Sequence, residues 1–112
     1  MSAITLFSDV YNYYLYAGRA DMRKSFDGLT GIVVNELGRQ VNHKDVFIFL
    51  NKELTHIKVL LYEADGFTLL YRRLHSGRFT VPSAAAVDGS ISLSATHLVS
   101  LLQGLHLHSF KK

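Results

Sequence analysis

Three apolar runs, joined by connections too short to hold a helix, constrain this chain most. Val46-Phe-Ile-Phe-Leu50, His56-Ile-Lys-Val-Leu-Leu-Tyr62 and Phe67 to Leu74 follow one another across Asn51-Lys-Glu-Leu-Thr55 and Glu63-Ala-Asp-Gly66. Strands so connected pair as antiparallel neighbours, because a parallel return needs a crossover of a dozen or more residues. The first run is continuously apolar, as suits a strand covered on both faces. The second places Ile57, Val59 and Leu61 on one face and His56, Lys58, Leu60 and Tyr62 on the other. Asp65-Gly66 marks the hairpin turn, where glycine would supply the positive φ of a tight turn.

The flanking segments complete a small α+β plan. Tyr13-Tyr-Leu-Tyr-Ala17 reads as a first strand closed by Gly18. Asp21 suits a helix cap, and behind it Met22, Phe26, Leu29, Val33 and Leu37 form the apolar stripe of a helix at about 22–37. Gly38 stands where a C-terminal cap glycine belongs. Gly28, Gly31 and Ile32-Val33-Val34 weaken helix propensity, so packing must hold the helix. Arg78-Phe-Thr-Val81 reads as a short edge strand ended by Pro82, and Ser83 to Ser92 as a loop. A last helix at about 94–103 has Ser94 as its cap and Leu93 with Leu98 as a hydrophobic staple. Leu98, Leu101, Leu102 and Leu105 form its apolar face, and Gly104 its end. The expectation is one domain over 1–112, with a core at about 13–105 and flexible ends. It holds an antiparallel meander of four to five strands, one main helix packed on it and a short C-terminal helix.

Composition narrows the function classes. With 112 residues, 48% of them apolar and 19% charged, the chain can bury a core. It has no cysteine, which excludes disulfides, thiolate metal sites and a cysteine nucleophile. No apolar run approaches the ~18 residues of a membrane span, and the start lacks the pattern of a signal peptide. A cytoplasmic protein without membrane association is expected. The net charge of +3 is unevenly spread. Residues 1–65 carry seven Lys/Arg against eight Asp/Glu, while residues 66–112 carry five against Asp88 alone. That asymmetry favours an anionic partner for the second half.

Chemistry-bearing patterns are sparse. His43, His56, His75, His97, His106 and His108 are scattered without metal-ligand spacing, and no metal or other cofactor is implied. Asp21 and Asp27 lie about 600° apart around a helix and cannot converge. No phosphate loop, nucleophile elbow or carboxylate triad is present, so no catalytic residue is assigned and an enzyme is not expected. Two cationic clusters remain. Arg19, Arg23 and Lys24 surround the expected helix start, where free N–H groups and cations suit a phosphate; alternatively, Asp21 and Asp27 neutralise them locally. Arg72, Arg73 and Arg78, with His75, Tyr71 and Phe79 close by, form the second, with nucleic-acid contact or an ordinary surface as the readings. Alternation sends Arg72 and Arg73 to opposite faces. Among cations, aromatics can stack on bases, although Tyr71 and Phe79 are expected in the core.

The stretch Tyr14-Leu-Tyr-Ala-Gly-Arg-Ala-Asp-Met-Arg-Lys-Ser-Phe-Asp-Gly-Leu29 resembles the small TnpB accessory proteins of insertion-sequence family sixty-six. Further matches follow in order at Val46-Phe-Ile-Phe-Leu-Asn51, Lys58-Val-Leu, Asp65-Gly-Phe67, Tyr71-Arg-Arg-Leu74, Gly77-Arg-Phe79 and Pro82. The chain departs from the family pattern after Asn51, where Lys52-Glu-Leu-Thr-His56 replaces a run of arginines. It also has Tyr62-Glu63 for Trp-Asp, and Val81 for a Trp. The resemblance implies an accessory role in transposition beside the element's transposase. Expected partners are the transposase, the element's other small accessory protein, or DNA. A protein–protein adaptor presenting a sheet edge, such as 78–81, is the alternative.

Overall fold

The computed structural model describes residues 8, 10–40 and 42–103. Five strands form one sheet: β1 (Asn12–Tyr16), β2 (Asp45–Leu50), β3 (His56–Glu63), β4 (Gly66–Arg73) and β5 (Ser90–Leu93). Their order across the sheet is β4-β3-β2-β1-β5. The β2–β3–β4 meander forms as the short connections require, with Val46 opposite Leu61 and Val59 opposite Leu70. β2 is buried along its whole length. Ile57, Val59 and Leu61 share a buried face, as alternation predicts.

The sheet is mixed, which corrects the purely antiparallel expectation. β1 runs parallel to β2, with Asn12 opposite Asp45 and Leu15 opposite Ile48. The reason is the long connection between them, whose helical segment carries the chain back to the end from which β1 started. β5 closes the other side of β1 antiparallel to it.

The helical segment also differs from the 22–37 expectation. α1 (Phe26–Gly31) starts four residues later and passes into a π-helical turn at Ile32–Glu36, where the Leu37 N–H reaches the Ile32 carbonyl. The wider turn absorbs one extra residue among the β-branched side chains, and Leu29, Ile32, Val33 and Leu37 are all buried. Gly38 follows with φ +63°, the cap conformation expected of it. Asp21 is not the helix cap. Ser25 holds the N-cap position without a side-chain bond, and Asp21 instead accepts the Arg23 N–H in an Asx turn.

The late start has a cause in β3. Lys58 is only 7% exposed, and its Nζ donates to the Met22 carbonyl at 2.8 Å and the Lys24 carbonyl at 2.7 Å. Those carbonyls would accept helical N–H groups if the helix began at 22. They satisfy a buried ammonium instead, which cannot be left unpaired.

Arg78–Val81 is not a strand. Phe79 is buried at 2% exposure, and its N–H donates to the Leu54 carbonyl at 2.7 Å, tying the segment to the β2–β3 loop. The edge strands are β4 and β5, and β5 begins inside the stretch expected as a loop. A tight turn at Asp88-Gly89, with φ +53° and +83°, leads into it, and Val87 and Ser90 bond to each other across that turn. Positive φ at both central residues is the signature of the turn that matches strand twist. At the other Asp-Gly pair the turn residues are Ala64 and Asp65; Gly66 opens β4 opposite Glu63 and has no positive φ.

α2 (Ala95–Leu102) begins as expected at Ser94, whose side chain accepts the His97 N–H, while His97 Nδ1 accepts the Ser94 N–H. Leu93 and Leu98 are buried in one cluster with Tyr13, Leu15, Val46, Ile48, Leu50 and Phe79. A second cluster joins Leu29, Ile32, Val33 and Leu37 with Phe47, Phe49, Leu60 and Tyr62. Gly104, Leu105, His106, His108 and both chain ends lie outside the described residues.

Candidate nucleic-acid interface

Strand directions bring three polar segments to one end of the sheet. β1 and β2 both finish there, and the Ala20 N–H donates to the Leu50 carbonyl at 2.8 Å. β3 begins there and β4 ends there, with His56 opposite Arg73. Residues 19–24, 51–56 and 72–79 therefore share one end. The segment after β4 is fastened to the loop after β2, since the Leu74 N–H donates to the Thr55 carbonyl and the Phe79 N–H to that of Leu54.

Asn51 builds the central loop. Its Oδ1 accepts the N–H groups of Thr55 and His56, each at 2.9 Å, and its Nδ2 reaches Thr55 Oγ1 at 3.0 Å. Those bonds let Leu54 take φ +62° and leave Lys52 and Glu53 exposed. A cleft of about 630 Å³ opens between this loop and the segment after β1, lined by Arg19, Ala20, Asp21, Met22, Asn51, Lys52 and Glu53. The cleft carries both charge signs, Arg19 and Lys52 against Asp21 and Glu53.

The six cations singled out in the sequence differ in their engagement. Arg23 pairs with Asp21 at 2.6 Å, and its side-chain and backbone hydrogen bonds hold that carboxyl at about 2, below the usual carboxylate range. Local neutralisation thus holds for this pair. Arg19 bonds to the carbonyls of Ala17 and Gly18 with its head exposed. Lys24 is exposed, while its backbone carbonyl serves Lys58. Arg72 donates to the Leu102 carbonyl at 2.8 Å, at the end of α2, where a cation is favoured by the helix dipole. Arg73 and Arg78 are exposed. The two arginines that adjoin on β4 thus diverge, as alternation requires.

Several contributors were not singled out in the sequence. Lys52 adds a cation on the central loop. Lys58 fixes the 22–24 segment, and its signal is a lone lysine on a strand face otherwise carrying His56, Leu60 and Tyr62. Tyr71, expected in the core, is 57% exposed; its ring stacks with His56 at 5.9 Å and lies 5.0 Å from Lys58 Nζ. Phe79 is in the core as expected. Among the described residues, no group of three or more His, Asp or Glu is placed to hold a metal ion. No helix among them is long and apolar enough to cross a membrane.

Residues 11–112 match the family described as IS66 Orf2 like protein. The chain belongs to the IS66 Orf2-like family. It is similar to two uncharacterized proteins of Sinorhizobium fredii (strain NBRC 101917 / NGR234). It is 32% identical to y4hO over 92 residues, covering 82% of this chain and 78% of that protein. It is 27% identical to y4jC over 85 residues, covering 76% and 71%. No solved structure matches it significantly. Membership in the IS66 Orf2-like family places the chain among the accessory proteins of insertion sequences. Two of the stretches that carry the family resemblance meet in space here: Lys58 bonds to the backbone of Met22 and Lys24, inside the run Asp21–Leu29.

Proposed function

We propose that this insertion-sequence accessory protein acts in transposition by contacting nucleic-acid phosphates with the cationic end of its sheet. The supporting observation is the convergence of Arg19, Lys24, Lys52, Arg73 and Arg78 on the end shared by β1, β2, β3 and β4. Arg23 and Arg72 take a smaller part, because Asp21 and the Leu102 carbonyl already engage them. Phosphate contacts of this kind position a nucleic acid without reading its sequence. The chain would then hold nucleic acid for the transposase, which performs the chemistry.

Salt titration with the full chain tests the reading. Phosphate contact releases counterions, so log affinity falls by about 0.9 per contacted duplex phosphate for each log unit of salt. Replacing Lys24 and Arg73 with Gln should weaken binding alike across sequences and reduce that slope by up to about one per lost contact. Unchanged affinity and slope in the double variant would remove this surface from the reading.

The second reading is an adaptor for the transposase or the other small accessory protein. It is favoured by the outer edges of β4 and β5, which no strand among the described residues covers in the sheet order. A transposase complex that survives nuclease and high salt, with no nucleic acid retained at low salt, would select it.

A further inference from the structure

Along β4, alternate residues Phe67, Leu69, Tyr71 and Arg73 lie on one face, opposite Tyr62, Leu60, Lys58 and His56 of β3. An edge strand normally hides or charges such positions. Here Phe67 is 55% and Tyr71 57% exposed, although two rings already border Phe67 and one ring and an ammonium border Tyr71. Phe67 lies edge-on to Tyr62 at 4.8 Å and close to Phe26 at 6.1 Å. Tyr71 stacks with His56, above the ammonium of Lys58. The result is a row of held aromatic rings with open surface, running into Arg73 and the cationic sheet end.

The charge of β4 and the segment after it is one-sided. Residues 66–87 contain Arg72, Arg73, His75 and Arg78 and no Asp or Glu. An apolar partner on this face would find Arg73 and the exposed Arg78 and no acid from residues 66–87, whereas a polyanion carrying flat π-surfaces satisfies rings and cations together. Spacing separates the kinds of polyanion. Phe67 and Tyr71, four residues apart on one face with Leu69 between them, stand roughly 13 Å apart along the strand, while bases in a duplex lie stacked at about 3.4 Å and present only their edges. Splayed bases can match this strand; stacked ones cannot.

We infer that the β3–β4 face is a single-stranded nucleic-acid platform, on which Tyr71 and Phe67 stack bases while Arg73 and the sheet end hold the phosphates. It rests on the phosphate-binding reading above and adds the strandedness of the ligand and the residues that determine it. Tyr71 is the principal stacking residue, because its ring adjoins the cations.

The test titrates the full-length chain with labelled oligodeoxythymidylate, and separately with its duplex with oligodeoxyadenylate, at low salt. The single strand should bind more tightly. Stacking of one base is worth roughly a five- to hundredfold change in affinity on alanine substitution. Tyr71→Ala should lose that much for the single strand and leave duplex affinity alone, while Tyr71→Phe, which keeps the ring, recovers most of it. An oligothymidylate carrying one 5-iodouracil should photocrosslink to Tyr71 or Phe67, identified by peptide mass. If Tyr71→Ala does not fold, Tyr71→Leu and the crosslink decide the matter. Equal binding of both probes, or equal losses for both in the Tyr71 variant, overturns the platform and leaves the phosphate reading standing. No binding of either probe overturns both. Crosslinking confined to other residues also overturns the platform.

Discussion

Replacing Lys58 with methionine should unfasten the segment that carries Arg23 and Lys24. The perturbation keeps the length and apolar stem of the side chain and removes the ammonium that bonds to the Met22 and Lys24 carbonyls at 2.8 and 2.7 Å. Charged hydrogen bonds contribute about 1.5–3 kcal/mol each, so the gross loss is roughly 3–6 kcal/mol. Removing a largely buried charge returns part of this, because its desolvation cost of several kcal/mol disappears as well. Met22 is half-buried and Lys24 exposed, so water reaches the freed carbonyls and limits the penalty further. A net loss of about 2 kcal/mol follows, which lowers the melting temperature of a domain this size by roughly 10 °C. Urea denaturation measures the total, and amide hydrogen exchange localises it. The amides of residues 22–26 should lose protection first, while those of β2 keep theirs until global unfolding. If Lys58→Met is as stable as the parent, with unchanged exchange at 22–26, the ammonium is not what holds the helix start at Phe26.

Other outcomes follow from the geometry. Gly89→Ala should cost about 1–2 kcal/mol by urea midpoint, since φ is +83° and the new Cβ would lie 3.1 Å from Leu37 Cδ2. Gly66→Ala, with open space and no positive φ, should be neutral or stabilising by up to about 1 kcal/mol. Asp21 should titrate near 2 by carboxyl NMR. Its folded value lies below the ordinary 3.8, so its stabilising contribution is complete above that value and is lost as the pH falls from about 4 through about 2. Arg23→Gln should return the midpoint toward the ordinary range, and an unmoved midpoint would contradict the pairing. Arg72→Gln should lower stability by up to about 1 kcal/mol through the lost Leu102 bond, with little change in nucleic-acid affinity. Arg73→Gln should do the reverse, as read by melting and salt titration together.

The meander is legible because short connections leave its strands one way to pair. β1 is legible as a strand, but its direction is not: alternation carries no polarity, and the helix-bearing connection is the clue to a parallel partner. The two Asp-Gly pairs show how local signals compete. The pair at 65–66 sits between strongly apolar strands, yet needs no positive φ because the turn falls one residue earlier. The pair at 88–89 takes the expected conformation, in a Ser- and Ala-rich stretch whose alternation at Ser90-Ile-Ser-Leu93 is short. Asp21 is a good cap by residue type, but a tertiary bond from Lys58, distant in sequence, decides where the helix begins. Of the candidate site, the cationic residues are readable and their engagement is not. Nothing local to Arg72 indicates that the end of α2 will lie within reach, and nothing local to Tyr71 indicates that an edge strand will leave its ring in solvent.

The position of β1 between β2 and β5 has a consequence for the order of assembly. β2, β3 and β4 pair through loops of a few residues, so their contacts close at small entropic cost and can form early. The pairing of Tyr13 with Leu93 joins parts of the chain separated by almost its whole described length. During synthesis the meander can therefore be complete while β1 still exposes its outer backbone edge, an interval in which another strand could pair with it. Arrival of Ser90–Leu93 ends that exposure, and truncation before β5 should yield a chain with a formed meander that self-associates.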